Sequence, residues 1–146
     1  MSSKYFQSTY RPINPEKYAG TKLPFARSSW ELKVMIMFDT NPNISSWASE
    51  SLKIPYQNPF TGKYTVYVPD FVVTYVDAKG IQRAEIIEVK PAKETFVEQA
   101  KSQHARAAVA LNSFKWAAAH EFAKAHNMTF RVMTENQIFN NPSKGK

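Results

Sequence analysis

Asp70, Glu88 and Lys90 are the residues whose types and spacing best suit chemistry, with Glu31 as a fourth. Asp70 opens the apolar run Phe71-Val72-Val73-Thr74-Tyr75-Val76, and Glu88 lies among β-branched residues in Ile86-Ile87-Glu88-Val89. Burying an acid in such surroundings is costly unless a partner compensates its charge. Glu88 and Lys90 are two positions apart, so on a strand their side chains share a face. Two adjacent carboxylates repel unless a cation neutralises them, and an oxygen-only donor set suits a hard ion such as Mg²⁺ or Mn²⁺. A neighbouring lysine can hold or deprotonate a water aligned on phosphorus, while the ion stabilises charge on the phosphate and leaving oxygens. The chemistry indicated is metal-assisted phosphodiester hydrolysis. The plainer alternative is that Asp70 caps a strand and Lys90 merely neutralises Glu88.

For these groups to meet, the strand from Phe71 must fold back on the one from Ile81 to Lys90. Asp77-Ala78-Lys79-Gly80 supplies the turn, which brings Asp70 and Glu88 to one edge. The first of these strands is apolar on both faces and reads as central. Upstream, Ser28 or Ser29 caps a helix with Glu31 in its first turn and Trp30, Val34, Met37 and Phe38 at helical spacing, closed by Asn41-Pro42-Asn43. Residues 51–56 and 63–68 form an expected hairpin around Asn58-Pro59-Phe60-Thr61-Gly62. Downstream, a helix is expected from about Glu94, with Val97, Ala100, His104 and Leu111 on its stripe. Asn112-Ser113 is expected to break it and start a second helix ending near Asn127. A strand over 128–134 follows this crossover and is expected to lie parallel to the central pair, before a short helix opened by Thr134-x-x-Gln137. The fold class is α/β, a mixed sheet flanked by helices. Trp30, Trp116 and Phe122 read as core residues, and His104, His120 and His126 lack metal-ligand spacing.

With 146 residues, 43% of them hydrophobic, the chain is expected to form one domain with its own core. Zero cysteines exclude disulfides, thiolate nucleophiles and Cys-type metal sites. No apolar stretch reaches membrane-spanning length and no signal-type segment opens the chain, so a soluble, non-secreted protein is expected. The net charge of +7 is uneven: residues 1–27 carry +4 and the last seven +2, leaving 28–139 nearly neutral. Residues 1–27 show no helical or strand period and hold Pro12, Pro15, Gly20 and Pro24, so they read as an irregular basic arm with interleaved aromatics. A domain over 28–139 and a basic tail over 140–146 complete the division. Basic ends suit a polyanion.

Pro69-Asp70 followed by Glu88-Val89-Lys90 resembles the PD-(D/E)XK nuclease motif, and Glu31 matches the acidic residue that family keeps on its first helix. Five blocks, Arg27 to Glu31, Ile54 to Tyr56, Glu88 to Thr95, Lys115 to Ala118 and Phe130 to Glu135, are similar in order and spacing to the head-completion nucleases of T-even-type phages, over about residues 27–139. Trp30-Glu31, Asp70 and Glu88-x-Lys90 are also similar to the endonuclease subunit of heteromeric transposases. The resemblance implies a restriction-endonuclease-like fold and a Mg²⁺- or Mn²⁺-dependent DNA endonuclease that completes packaged heads. It implies that Asp70, Glu88 and Glu31 hold metal, that Lys90 orients or activates water, and that Lys115, Lys93 and Arg27 contact DNA. The partners implied are DNA and phage portal, neck or head proteins, with no membrane, in the host cytoplasm during assembly or in the virion head and neck. Two rival readings are a structural head or neck protein on a nuclease fold, and a resolvase- or transposase-type endonuclease.

Overall fold

The structure, a computed structural model, describes residues 7–95 and 102–139. Its centre is a four-stranded mixed sheet in the order β3-β6-β7-β8, built from β3 (Ile44–Ser49), β6 (Phe71–Val76), β7 (Gln82–Val89) and β8 (Thr129–Met133). The run from Phe71 is indeed internal, antiparallel to both β3 and β7. β8 joins β7 in parallel, as the crossover predicts. A separate hairpin pairs β4 (Ile54–Gln57) with β5 (Tyr64–Tyr67).

Strand alternation divides β7 between two cores. Ile87 and Val89 face helix α1 (Ser29–Thr40), whose Trp30, Val34, Met35 and Phe38 pack with Trp47, Phe71, Val73 and Met133. Ile86 faces the other way, towards helix α2 (Gln103–Ala125), where Ala119 and Ala123 meet Phe130 and the hairpin residues Ile54, Tyr56 and Tyr67. The small alanines let α2 approach the sheet closely. Trp30 is buried in the first core, and Trp116 and Phe122 pack against the second, in line with their reading as core. A short helix α3 (Glu135–Phe139) closes the described chain, with Thr134 and Gln137 bonded to one another at its start.

Two local expectations are corrected, and one strand was not expected. α2 runs unbroken through Asn112 and Ser113, where the Ser113 hydroxyl donates back to the Val109 carbonyl within the same helix and caps no new one. The described chain from Ala92 to Glu94 is a 3₁₀ turn, and the expected stripe positions Val97 and Ala100 lie outside the described residues. β3 has no counterpart in the sequence reading, since its serine-rich run Ile44-Ser45-Ser46-Trp47-Ala48-Ser49 carries little strand propensity. Pairing with β6 and burial of Trp47 supply what propensity does not, helped by a Ser46–Thr74 hydroxyl contact of 2.6 Å.

The segment before Arg27 is largely irregular in backbone, yet it is packed rather than free. Two-residue strands β1 (Ser8–Thr9) and β2 (Phe25–Ala26) pair with each other, and Ala26 belongs to the α1-side core. Tyr18 stacks edge-on against Trp47, and the Ala19 N–H donates to the Trp47 carbonyl at 2.8 Å, so this segment covers the outer edge of β3. Buried Asp39 at the end of α1 anchors it, accepting from the Tyr10 hydroxyl and from the Ile13 and Asn14 N–H groups. The tail 140–146 lies outside the described residues.

Candidate active site

The antiparallel register of β6 and β7 sets Phe71 opposite Ile87. The ladder ends there: Asp70 lies just before β6 and meets the end of β7, while alternation along β7 sets Glu88 on the α2 side with Ile86. Asp70 Oδ2 accepts from the Val89 N–H at 2.7 Å, which ties the start of β6 to the end of β7. Buried Glu88 accepts from the Tyr67 hydroxyl at 2.7 Å through Oε1, while Lys90 Nζ stands 4.0 Å from its Oε2. Lys115 of α2 extends over the Tyr67 ring, 5.9 Å from its centroid. Glu31 reaches the same sheet end from the N-terminal turn of α1, where Ser28 caps the helix by accepting from the Glu31 N–H. The Glu31 carboxylate reaches back to the Arg27 N–H at 3.1 Å, a close variant of a capping box.

Electrostatics unite the three acids. Burial pushes Asp70 well above the usual carboxylate range, and the charges of Glu88 and Glu31 push it further. Burial also raises Glu88, against the opposing pull of Tyr67, Lys90 and Lys115. Glu31 is raised by burial and by the charges of Glu50 and Glu88. The same surroundings push the Tyr67 hydroxyl up, so it remains a donor to Glu88. Among the described residues no three Asp, Glu, His or Cys side chains close into a ready-made metal cage. The acids feel one another's charge while holding separate protein donors. Oxygen-only donors whose ionisation is suppressed by burial and by one another's charge could hold a hard divalent cation.

The chain matches the family described as TnsA-like endonuclease N terminal over residues 41–135. It is also 32% identical to the head completion nuclease of Enterobacteria phage T4, with 91% of this chain and 93% of that protein covered. The chain belongs to the TnsA-like endonuclease family. Its mixed sheet flanked by helices is the restriction-endonuclease-like architecture expected for that family. The family match includes Asp70, Glu88, Lys90, Lys93 and Lys115, whereas Glu31 and Arg27 precede it. The likeness to the T4 protein reaches beyond the blocks in 27–139: 91% of 146 residues is about 133, and the tail after 139 has only seven to add. Part of the N-terminal segment is therefore shared, which agrees with its packing on β3.

The remaining sequence candidates in this family member have different settings. Arg27 forms a two-pronged ion pair with Glu50, Nε to Oε2 at 2.8 Å and Nη2 to Oε1 at 3.2 Å. Lys93 is exposed on the 3₁₀ turn after β7. Glu135, read as a helix-start charge, accepts from the Ala92 N–H at 2.8 Å and steadies that turn. Tyr67 and Glu50 escaped the sequence reading. A clue to Tyr67 lay in hairpin alternation, which sets it on the face opposite Val66. Glu50 had none, because its place depends on β3: it leaves that strand at φ +50°, and its N–H donates to the Asp70 carbonyl at 2.9 Å. No helix of the described residues is long and apolar enough to cross a membrane.

Proposed function

We propose that the chain is a divalent-metal-dependent DNA endonuclease that hydrolyses phosphodiesters at the packaged phage head or neck vertex. The observation that carries this reading is that Asp70, bonded to the Val89 N–H, and buried Glu88, with Lys90 4.0 Å away, meet at one sheet end within the field of Glu31. Membership of an endonuclease family and likeness to a phage head completion nuclease support it. Asp70 and Glu88 would hold Mg²⁺ or Mn²⁺, with Glu31 completing the charge of the site. When bound, the ion supplies Lewis-acid stabilisation to phosphate and leaving oxygens. The Tyr67 hydroxyl favours the charged form of Glu88, and the Val89 N–H fixes one oxygen of Asp70, so that carboxylate is oriented before substrate arrives. Lys90 holds the attacking water and balances charge near Glu88. Lys115, over the Tyr67 ring on the same side, would contact a phosphate, and exposed Lys93 would extend the basic surface past the end of β7. Arg27 serves DNA only after its pairing with Glu50 is exchanged for a phosphate. Phage portal, neck or head proteins are the proposed assembly partners.

The test compares wild type with Asp70→Asn on linear, circular and branched DNA with Mg²⁺ or Mn²⁺. The variant loses at least about a thousandfold in cleavage while folding normally, because it removes charge at almost constant volume. A phage carrying it is expected to assemble full heads that contain the variant protein yet remain non-infectious. Normal infectivity with stable, incorporated variant would overturn the nuclease role and leave a structural one.

A further inference from the structure

The β4–β5 hairpin carries a large exposed apolar surface that the proposed chemistry leaves unused. Phe60 at its tip is 61% exposed, Tyr64 76% and Val66 52%, and Phe114 of α2 nearby is 50% exposed. The tip is held in shape by its own bonds. Asn58 Oδ1 accepts from the Phe60 and Thr61 N–H groups at 2.8 and 3.2 Å, and the Gly62 N–H donates to the Asn58 carbonyl at 2.8 Å. Gly62 adopts φ +73°, which an L side chain disfavours, and Gln57 Nε2 donates to its carbonyl at 3.0 Å. An aromatic ring is thus presented to solvent on a built platform. Between this tip and Phe114 lies an open groove of about 370 Å³, lined by Tyr56, Asn58, Pro59 and Phe114 among others.

Two observations indicate what covers the surface. From Ser51 to Pro69 there is no acidic residue, while Lys53 and Lys63 are exposed there, so the hairpin complements a polyanion. β5 also runs directly into the site, since its Tyr67 holds Glu88. A strand followed from the site along the hairpin therefore reaches Phe60. Within a paired duplex the ring would meet stacked bases, and separating one step costs a few kcal/mol. At the boundary between duplex and single strand a base face is already free, and stacking on it is favourable whatever the sequence.

We propose that the hairpin tip recognises a duplex–single-strand junction in DNA, with Phe60 stacking on the exposed base at the boundary and the adjoining groove receiving the unpaired strand. This rests on the nuclease reading and adds the substrate class. From Tyr67 to the tip is about 15 Å at the rise of a β-strand, which spans about four to five nucleotides of a DNA strand. Cleavage is accordingly offset from the junction by that number.

The experiment measures binding of wild-type protein in EDTA to a forked duplex and to a fully paired duplex of equal length, with 2-aminopurine at the fork. The fork is preferred, and binding changes the probe's fluorescence. Phe60→Ala reduces the fork-to-duplex preference roughly tenfold, the scale of one base–aromatic stack, and abolishes the probe response. Phe60→Trp restores both. An unchanged preference in Phe60→Ala overturns the proposal. So does a variant that binds forks normally but no longer attaches to packaged heads, which would make the patch a protein contact. Failure of wild type to cut any DNA, with fork binding still dependent on Phe60, would instead reject the nuclease reading and keep the junction contact.

Discussion

A single acid at one end of α1 and three at the other are treated in opposite ways. At its C-terminal end, burial alone would raise Asp39, but the Tyr10 hydroxyl, the Ile13 and Asn14 N–H groups and the charge of Lys17 outweigh it and hold the carboxyl below its usual range. Burial, together with its hydrogen bond to Asp39 and the charge there, pushes Tyr10 up to about 12. At the N-terminal end, Glu31, Asp70 and Glu88 share few donors, and all three are pushed up, burial being the largest cause for each. A satisfied acid fastens one segment to another. A cluster short of positive charge is destabilising on its own and is suited to a cation it has yet to bind. The contrast separates an acid serving the fold from acids serving chemistry, and it can be tested at each end.

The largest effect is expected for Glu88→Gln. DNA cleavage falls at least about a thousandfold, a barrier change of about 4 kcal/mol. The metal-free protein nevertheless melts higher at neutral pH, because a penalised charge is gone. The pH dependence gives the sign independently. Acids raised in the folded state contribute stability that is fully present below their unfolded values, near 4.5 for Glu88 and 3.8 for Asp70, and is lost as pH rises through the folded ones. Metal-free wild type therefore gains stability as pH falls from neutrality towards those values, and Glu88→Gln flattens that gain. Asp39 acts in reverse: its contribution is present above its unfolded value of 3.8 and is lost as pH falls through its lower folded value. Thermal melts in EDTA across this range check both trends, and a single monotonic profile unaffected by either Glu88→Gln or Asp39→Asn would erase the distinction.

Lys90→Ala comes next, with turnover down about a hundredfold, in the range of a group that positions or accepts a proton. Because Lys90 opposes the rise of Glu88, its loss also moves the acid limb of the pH–rate profile to higher pH. A defect confined to metal affinity would leave Lys90 with charge balance alone and remove its role in holding water. Asp39→Ala is the matching break at the other end. It leaves the Tyr10 hydroxyl and two backbone N–H groups without their acceptor and is expected to cost about 2–3 kcal/mol in urea unfolding. Cleavage is unchanged at a temperature where the variant remains folded.

Legibility in the sequence differed between the two ends for a physical reason. Asp70, Glu88 and Lys90 were visible because strand period and a short turn dictate which positions meet, and those rules act within a local stretch. The Asp39 clasp spans 25–29 residues and joins a helix end to a segment with no period, so nothing local announced it. The same applies to β3, whose place is fixed by Trp47 and by pairing with β6 rather than by its own serines. Asn112-Ser113 misled because side-chain bonding to the backbone, which often ends a helix, here follows the helix axis. Glu50 became visible only once β3 had been placed.

The smallest expected effect belongs to Tyr67→Phe, and it tests whether the raised cluster is tuned or merely crowded. The Tyr67 hydroxyl donates to Glu88 at 2.7 Å and favours its charged form, so removing it raises Glu88 further. The ring remains, so packing against Ile54, Tyr56 and α2 is preserved. The loss is that of one hydrogen bond to a charged group, about 1.5 kcal/mol or somewhat more before rearrangement. Below the pH at which Glu88 ionises, cleavage should fall by several-fold, and the acid limb should move up. Well above it, the rate should approach that of wild type, because Glu88 is then ionised with or without Tyr67. A uniform loss across the whole pH range would mean that Tyr67 orients Glu88 for chemistry and does not mainly set its ionisation. A rate unchanged on the acid limb would show that the hydroxyl does neither, and that Lys90 and Lys115 alone hold Glu88 in its charged form.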